Sequence, residues 1–133
     1  MKFVPTQCRQ CPFRKDSLPG YLGEYRPAEV FSNLWKGQPF FCHTAIDYAD
    51  PDWLEKAMSP GGGKLCVGGL AFANAIGAPL RDSHNERPLP KAILVGREKV
   101  KLLENVECMG AREFYAHHPD WQDKGCQEKA SCR

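Results

Sequence analysis

Four cysteines in the first half of the chain, Cys8, Cys11, Cys42 and Cys66, constrain its folding more than any other feature. Cys8 and Cys11 form a C-x2-C step followed at once by Pro12. Cys42 lies in Phe40-Phe41-Cys42-His43, and Cys66 in Leu65-Cys66-Val67-Gly68-Gly69. A C-x2-C turn aims two sulfurs at one centre, and two distant sulfurs can complete a tetrahedral set. Such a set would tie the segment from Cys8 to Cys66 into one folding unit.

Structural zinc held by four cysteines usually takes two C-x2-C knuckles, and this chain offers one knuckle and two isolated cysteines. A [4Fe-4S] cluster needs its ligands spread around a cube, which a turn pair and two lone sulfurs supply; proline after a ligand cysteine also recurs in ferredoxin-type sites. The expectation is therefore one centre on Cys8, Cys11, Cys42 and Cys66, with a [4Fe-4S] cluster ahead of Zn2+. The competing reading is free buried thiols, since cysteine is among the most commonly buried residues. Phe13, Phe40, Phe41 and Val67 would shield the sulfurs, and Gly68 and Gly69 would let backbone approach. His43 follows Cys42 directly and reads as a neighbour of the centre, or as a replacement ligand for Cys42.

Arg9 sits inside the knuckle, and Arg14 and Lys15 just after it. They could recognise an anion beside the site, or Arg14 could balance thiolate charge or pair with Asp16 or Glu24. A second group, Cys108, His117, His118, Cys126 and Cys132, lacks tight ligand spacing and reads as helix-end histidines and tail cysteines. No hydrolase, zinc-protease, deaminase or dinucleotide motif is present. Asp82-Ser83-His84 has triad-type residues, but consecutive positions in a polar stretch read as a loop.

At 133 residues with 42% hydrophobic and 26% charged composition, the chain has the balance of one globular domain. The net charge of +2 does not mark a polyanion binder, although residues 1–46 hold six Lys/Arg against three Asp/Glu. Met1-Lys2-Phe3-Val4-Pro5 lacks the apolar core of a secretion signal, and no run reaches the ~20 apolar residues of a membrane span. The expected location is cytoplasmic, where the seven cysteines would be thiols or metal ligands.

The expected fold is α+β and α-rich: a single small domain of loops and short helices wrapped around a four-cysteine metal or Fe–S centre. Residues 1–78 form the cysteine part, 79–91 a loop and 92–133 a helical C-terminal part. Residues 1–26 read as irregular. Pro27 opens a short helix that ends at Gly37, Asp50-Pro51 opens another, and Leu65–Ile76, apolar all round, reads as a buried helix. Ala92-Ile93-Leu94-Val95 reads as a short strand, Glu98–Glu104 and Arg112–His118 as helices.

The order C-x2-C-P-F-R, F-x-C-H and C-x-G-G resembles a group of small uncharacterised bacterial and phage proteins with a C-x2-C-P-[FWY]-R … C-H … C-x-G skeleton. The matching residues are Cys8, Cys11, Pro12, Phe13, Arg14, Cys42, His43, Cys66 and Gly68. The resemblance covers roughly residues 8–76 and implies that these residues share one site. Small iron–sulfur transcription factors, which use four cysteines in a different order, are similar more loosely and suggest only the cofactor. The functional expectation is a metal- or cluster-binding protein with a regulatory or binding role on a protein partner or nucleic acid. The basic N-terminal quarter, with Phe13, Tyr21, Tyr25 and Trp35 interleaved, points that way. The alternative is a small metal-dependent enzyme using an open coordination position, with His43 or His84 as acid/base.

Overall fold

A computed structural model describes residues 1–7, 11–20, 22, 25–42, 46–59, 62–82 and 85–119. Its elements run β1 (Lys2–Phe3), α1 (Pro27–Trp35), α2 (Trp53–Met58), β2 (Lys64–Leu65), α3 (Val67–Ala75), α4 (Lys91–Val100) and α5 (Ala111–His117). Among the described residues the result is a small helix-rich α+β arrangement with one parallel strand pair. Cys8, Arg9, His43, His84, Cys126 and Cys132 lie outside the described residues.

The central element is α3. Its small and apolar residues bury both sides, as the sequence suggests: Phe72 joins a core with Cys11, Phe13, Leu22, Val30, Leu34, Cys66, Met109 and Phe114. Val67 and Leu70 join a second core with Phe41, Ala57, Leu65, Leu89, Ile93 and Val100. Burying a phenylalanine as fully as Phe13, Phe72 and Phe114 contributes about 1.5–3 kcal/mol each. Phe13 lies against Phe72 at 5.0 Å and Phe114 at 5.4 Å between ring centroids, so one aromatic cluster joins the knuckle, α3 and α5.

Several local expectations match the structure. Pro27 starts α1, and Glu29 accepts a hydrogen bond from the Arg26 N–H at 3.1 Å. At its far end the Gly37 N–H donates to Leu34 O and the Gln38 N–H to Asn33 O, with Gly37 at φ +83°. That is a Schellman turn, which glycine adopts without strain. In the second helix the start shifts: Asp50 accepts from the Asp52 N–H at 2.9 Å in a turn, and α2 begins at Trp53.

Two expectations are corrected. Ala92–Val95 is not a strand but the first half of α4. Ile93, Gly96, Arg97 and Val100 recur at helical spacing and are buried, and this face packs on α3. The helix expected over Glu98–Glu104 accordingly ends at Val100. The first 26 residues are not wholly irregular either, because Lys2–Phe3 pairs in parallel with Lys64–Leu65.

The end of α3 is tied to α4 by a buried arginine. Arg97 Nε donates to Asn74 Oδ1 at 2.9 Å, and its terminal nitrogens donate to Pro79 O at 3.2 Å and Ala73 O at 3.4 Å. Asn74 returns a bond to Arg97 O at 2.9 Å. Arg97 thus adds a second donor to the Ala73 carbonyl, which also accepts from the Ala78 N–H at 2.9 Å, and takes up the Pro79 carbonyl beyond the helix.

Candidate metal centre

A turn, a bridged segment and one helix N-terminus position Cys11, Cys42 and Cys66, and of these Cys11 and Cys66 meet. The Cys11 carbonyl accepts from the Arg14 N–H at 3.1 Å, which closes a tight turn. Cys66 is the N-cap of α3, its Sγ accepting from the Gly69 N–H at 3.3 Å. The two sulfurs lie 3.9 Å apart, with Cys11 1% and Cys66 6% exposed.

This approach depends on Gly68. A Cβ at Gly68 would overlap Cys11 Sγ and come within 3.1 Å of the Phe13 ring and 3.3 Å of the Gln7 amide. The glycine of the C-x-G step is therefore the residue that lets a sulfur seat on the first turn of α3.

Cys42 reaches the same region by strand geometry. Its N–H donates to Lys64 O at 2.8 Å, and the Cys66 N–H donates to Phe40 O at 2.7 Å. These bonds flank an antiparallel bridge between Phe41 and Leu65. Side chains alternate across such a ladder, so Cys42 and Cys66 leave it on the face opposite Phe41 and Leu65. A cavity of about 170 Å³ lies beside them, lined by Val4, Thr6, Cys42, Lys64, Leu65, Cys66 and Val67. Thr6 stands two residues before Cys8 in the sequence.

The two thiols shift each other's titration in opposite directions. Cys11 is pushed down to about 7, first by the hydrogen bond from Cys66, then by Gln7, the Phe13 N–H and the charge of Arg14, against burial. Cys66 is pushed well up, chiefly by that same bond and by burial, with the nearby Cys42 adding to it. The two sulfurs share a hydrogen bond, and a cation is the natural replacement for thiol protons, because metal binding to thiols releases them.

The donor set fits a metal in spacing. Tetrahedral thiolates about 2.3 Å from a zinc ion stand about 3.8 Å from one another, close to the 3.9 Å between Cys11 and Cys66. Among the described residues, however, no three Cys, His, Asp or Glu side chains already form a ligand group.

The remaining sequence candidates go elsewhere. Arg14 forks onto Asp16, Nε to Oδ1 at 2.8 Å and the terminal nitrogen to Oδ2 at 3.0 Å, so its guanidinium is engaged internally. Lys15 is exposed. His117 Nε2 lies 2.6 Å from Ser17 O and 3.1 Å from Ser17 Oγ. His118 is fully buried: its Nε2–H donates to Pro12 O at 2.7 Å, and its Nδ1 accepts from the Gly20 N–H at 3.0 Å. The two histidines therefore clamp the loop after the knuckle. Cys108 Sγ donates to Met109 O at 3.3 Å, and burial pushes its thiol up to about 12.

Sequence reasoning missed Gln7. Its amide donates to Cys11 Sγ at 3.5 Å and to Glu107 O at 2.6 Å, and its Oε1 accepts from the Glu107 N–H at 2.8 Å. It joins the knuckle to a segment 100 residues away, and the only signal for it was its place directly before Cys8.

No helix among the described residues is long and apolar enough to cross a membrane. No family model matches the chain, and no curated protein or solved structure is significantly similar to it.

Proposed function

We propose that this is a cytoplasmic thiolate-metal protein in which Cys8, Cys11, Cys42 and Cys66 hold one centre. That centre braces a small binding module with a regulatory role toward a protein partner. The observation that carries the reading is the buried pair of sulfurs 3.9 Å apart at the N-terminus of α3. That spacing favours a single tetrahedral ion, Zn2+, because a [4Fe-4S] cube distributes its thiolates over separate irons. The cavity of about 170 Å³ beside Cys42 and Cys66 supports the [4Fe-4S] cluster as a second reading.

A protein partner is favoured over nucleic acid because Arg14 is engaged by Asp16. The segment 46–59 adds four carboxylates against one lysine. The enzyme alternative requires an open coordination position near His43 or His84.

The test is elemental analysis with absorption spectroscopy on anaerobically purified protein, beside Cys11→Ser and Cys66→Ser. One equivalent of zinc in colourless protein, lost in both variants, supports the single-ion reading. Brown protein with iron and acid-labile sulfide supports the cluster. Metal-free protein with native folding overturns both. Salt-dependent retention of mixed DNA or RNA in a gel shift would replace the protein partner by nucleic acid.

A further inference from the structure

A second, larger cavity lies on the other side of the Phe40–Cys42 segment. It has a volume of about 480 Å³, within the range of small-molecule sites. Its walls carry the rings of Tyr25, Phe40, Tyr48 and Trp53, with Phe41 beside them. Tyr48 and Trp53 meet edge to face at 5.2 Å.

Two primary amides, Asn33 and Gln38, also face this cavity. Among the described residues neither side chain has a hydrogen-bond partner. The backbone that carries them is fixed, because the Gln38 N–H donates to Asn33 O at 3.0 Å in the Schellman turn that ends α1; Asn33 is half-buried and Gln38 exposed. Leu89 packs beneath Gly37 in that turn and leaves no room for a side chain there.

The opposite wall is fixed by different turn chemistry. Asp47 accepts from the Ala49 N–H at 3.1 Å, and Asp50 accepts from the Asp52 N–H at 2.9 Å. Lys56 closes on Asp50 at 2.6 Å. Tyr48 and Trp53 are thereby held by their own loop, and Asp47 and Asp52 stand exposed beside them.

We propose that this cavity binds a neutral planar heterocycle with an amide-type edge, the chemistry of a nucleoside. Flat rings stack on aromatic side chains whatever their sequence. Asn and Gln amides pair donor and acceptor with the edge of such a ring. The carboxylates flanking Tyr48 and Trp53 disfavour phosphate, so the nucleoside binds better than its monophosphate. The proposal does not depend on what metal the cysteines hold, although the floor residue Phe41 is covalently next to Cys42.

The experiment is calorimetric titration of the full chain with adenosine, guanosine, cytidine and uridine, and with adenosine monophosphate. Saturable binding of at least one nucleoside is expected. It should weaken by at least about tenfold in Trp53→Leu, from lost stacking, and weaken clearly in Asn33→Leu. Tyr48→Leu, at an exposed position, gives a second stacking variant should Trp53→Leu fold poorly. Far-UV circular dichroism identifies the variants that keep the fold. Absence of binding by all four nucleosides overturns the proposal, as does binding unchanged in the folded variants. Tighter binding of the monophosphate than of adenosine overturns the charge argument.

Discussion

Gly68→Ala puts a methyl group where Cys11 Sγ sits. The ideal Cβ position overlaps that sulfur and also presses on Phe13 and Gln7. Cys11 has little room to retreat, since it is 1% exposed and its carbonyl is bonded within the turn. Overpacking of this kind costs about 1–3 kcal/mol. The overlap with a buried, anchored sulfur places this cost in the upper part of the range, about 2–3 kcal/mol. Alanine for glycine inside a helix returns about 0.5–1 kcal/mol, leaving a net loss of about 1–2.5 kcal/mol. For a chain of this size that is a melting temperature lower by roughly 3–12 °C. Metal content should fall with it, because Cys11 can no longer reach its place beside Cys66. Gly96→Ala is the comparator: its Cβ would meet Leu70 Cδ1 at 2.9 Å, the end of a flexible side chain remote from the sulfurs. It should lower stability and leave metal content unchanged. Thermal melts and metal analysis of the three proteins decide the matter. A Gly68→Ala protein with wild-type melting and wild-type metal content would refute the packing argument.

Arg97→Met should lower stability by about 2–4 kcal/mol in urea unfolding, since Asn74 and the Ala73 and Pro79 carbonyls lose their buried partner; a change below about 0.5 kcal/mol, the range of ordinary surface substitutions, would deny the clamp its role. Burial first, then the neighbouring His117, holds the His118 imidazole below the usual histidine range. The unfolded chain therefore takes up a proton that the folded chain resists. This contribution is complete above about pH 6.5 and is lost as pH falls below that value. The urea midpoint should decline on acidification through this window, and His118→Gln should flatten the decline; an unchanged slope in the variant would assign it to other groups.

The helices with strong local punctuation were legible in the sequence. Pro27 and Gly37 bracket α1 because proline presets the first turn and glycine takes the positive φ of the last. The burial of α3 was legible too, as its residues are small or apolar all round. Ala92–Val95 misled because four successive apolar residues suit a strand or a buried helix equally well. The deciding residues were Gly96 and Arg97, and a charged residue on a buried face conceals the helical period. Pairing of Lys2–Phe3 with Lys64–Leu65 is non-local and leaves no local pattern to read. At the site, the sequence suggested that Cys11 and Cys66 meet. It did not suggest that Gln7 reaches Glu107 or that His118 holds Pro12, because both join residues 100 or more positions apart with no local pattern.

Metal-edge X-ray absorption on the anaerobically purified chain tests the central claim most directly, because it reads the atoms around the metal. The account predicts a shell of sulfur scatterers at about 2.3 Å, four for a single zinc ion, that collapses in Cys11→Ser and Cys66→Ser. A first shell of nitrogen and oxygen alone, or a chain that holds no metal and keeps its fold, would contradict it.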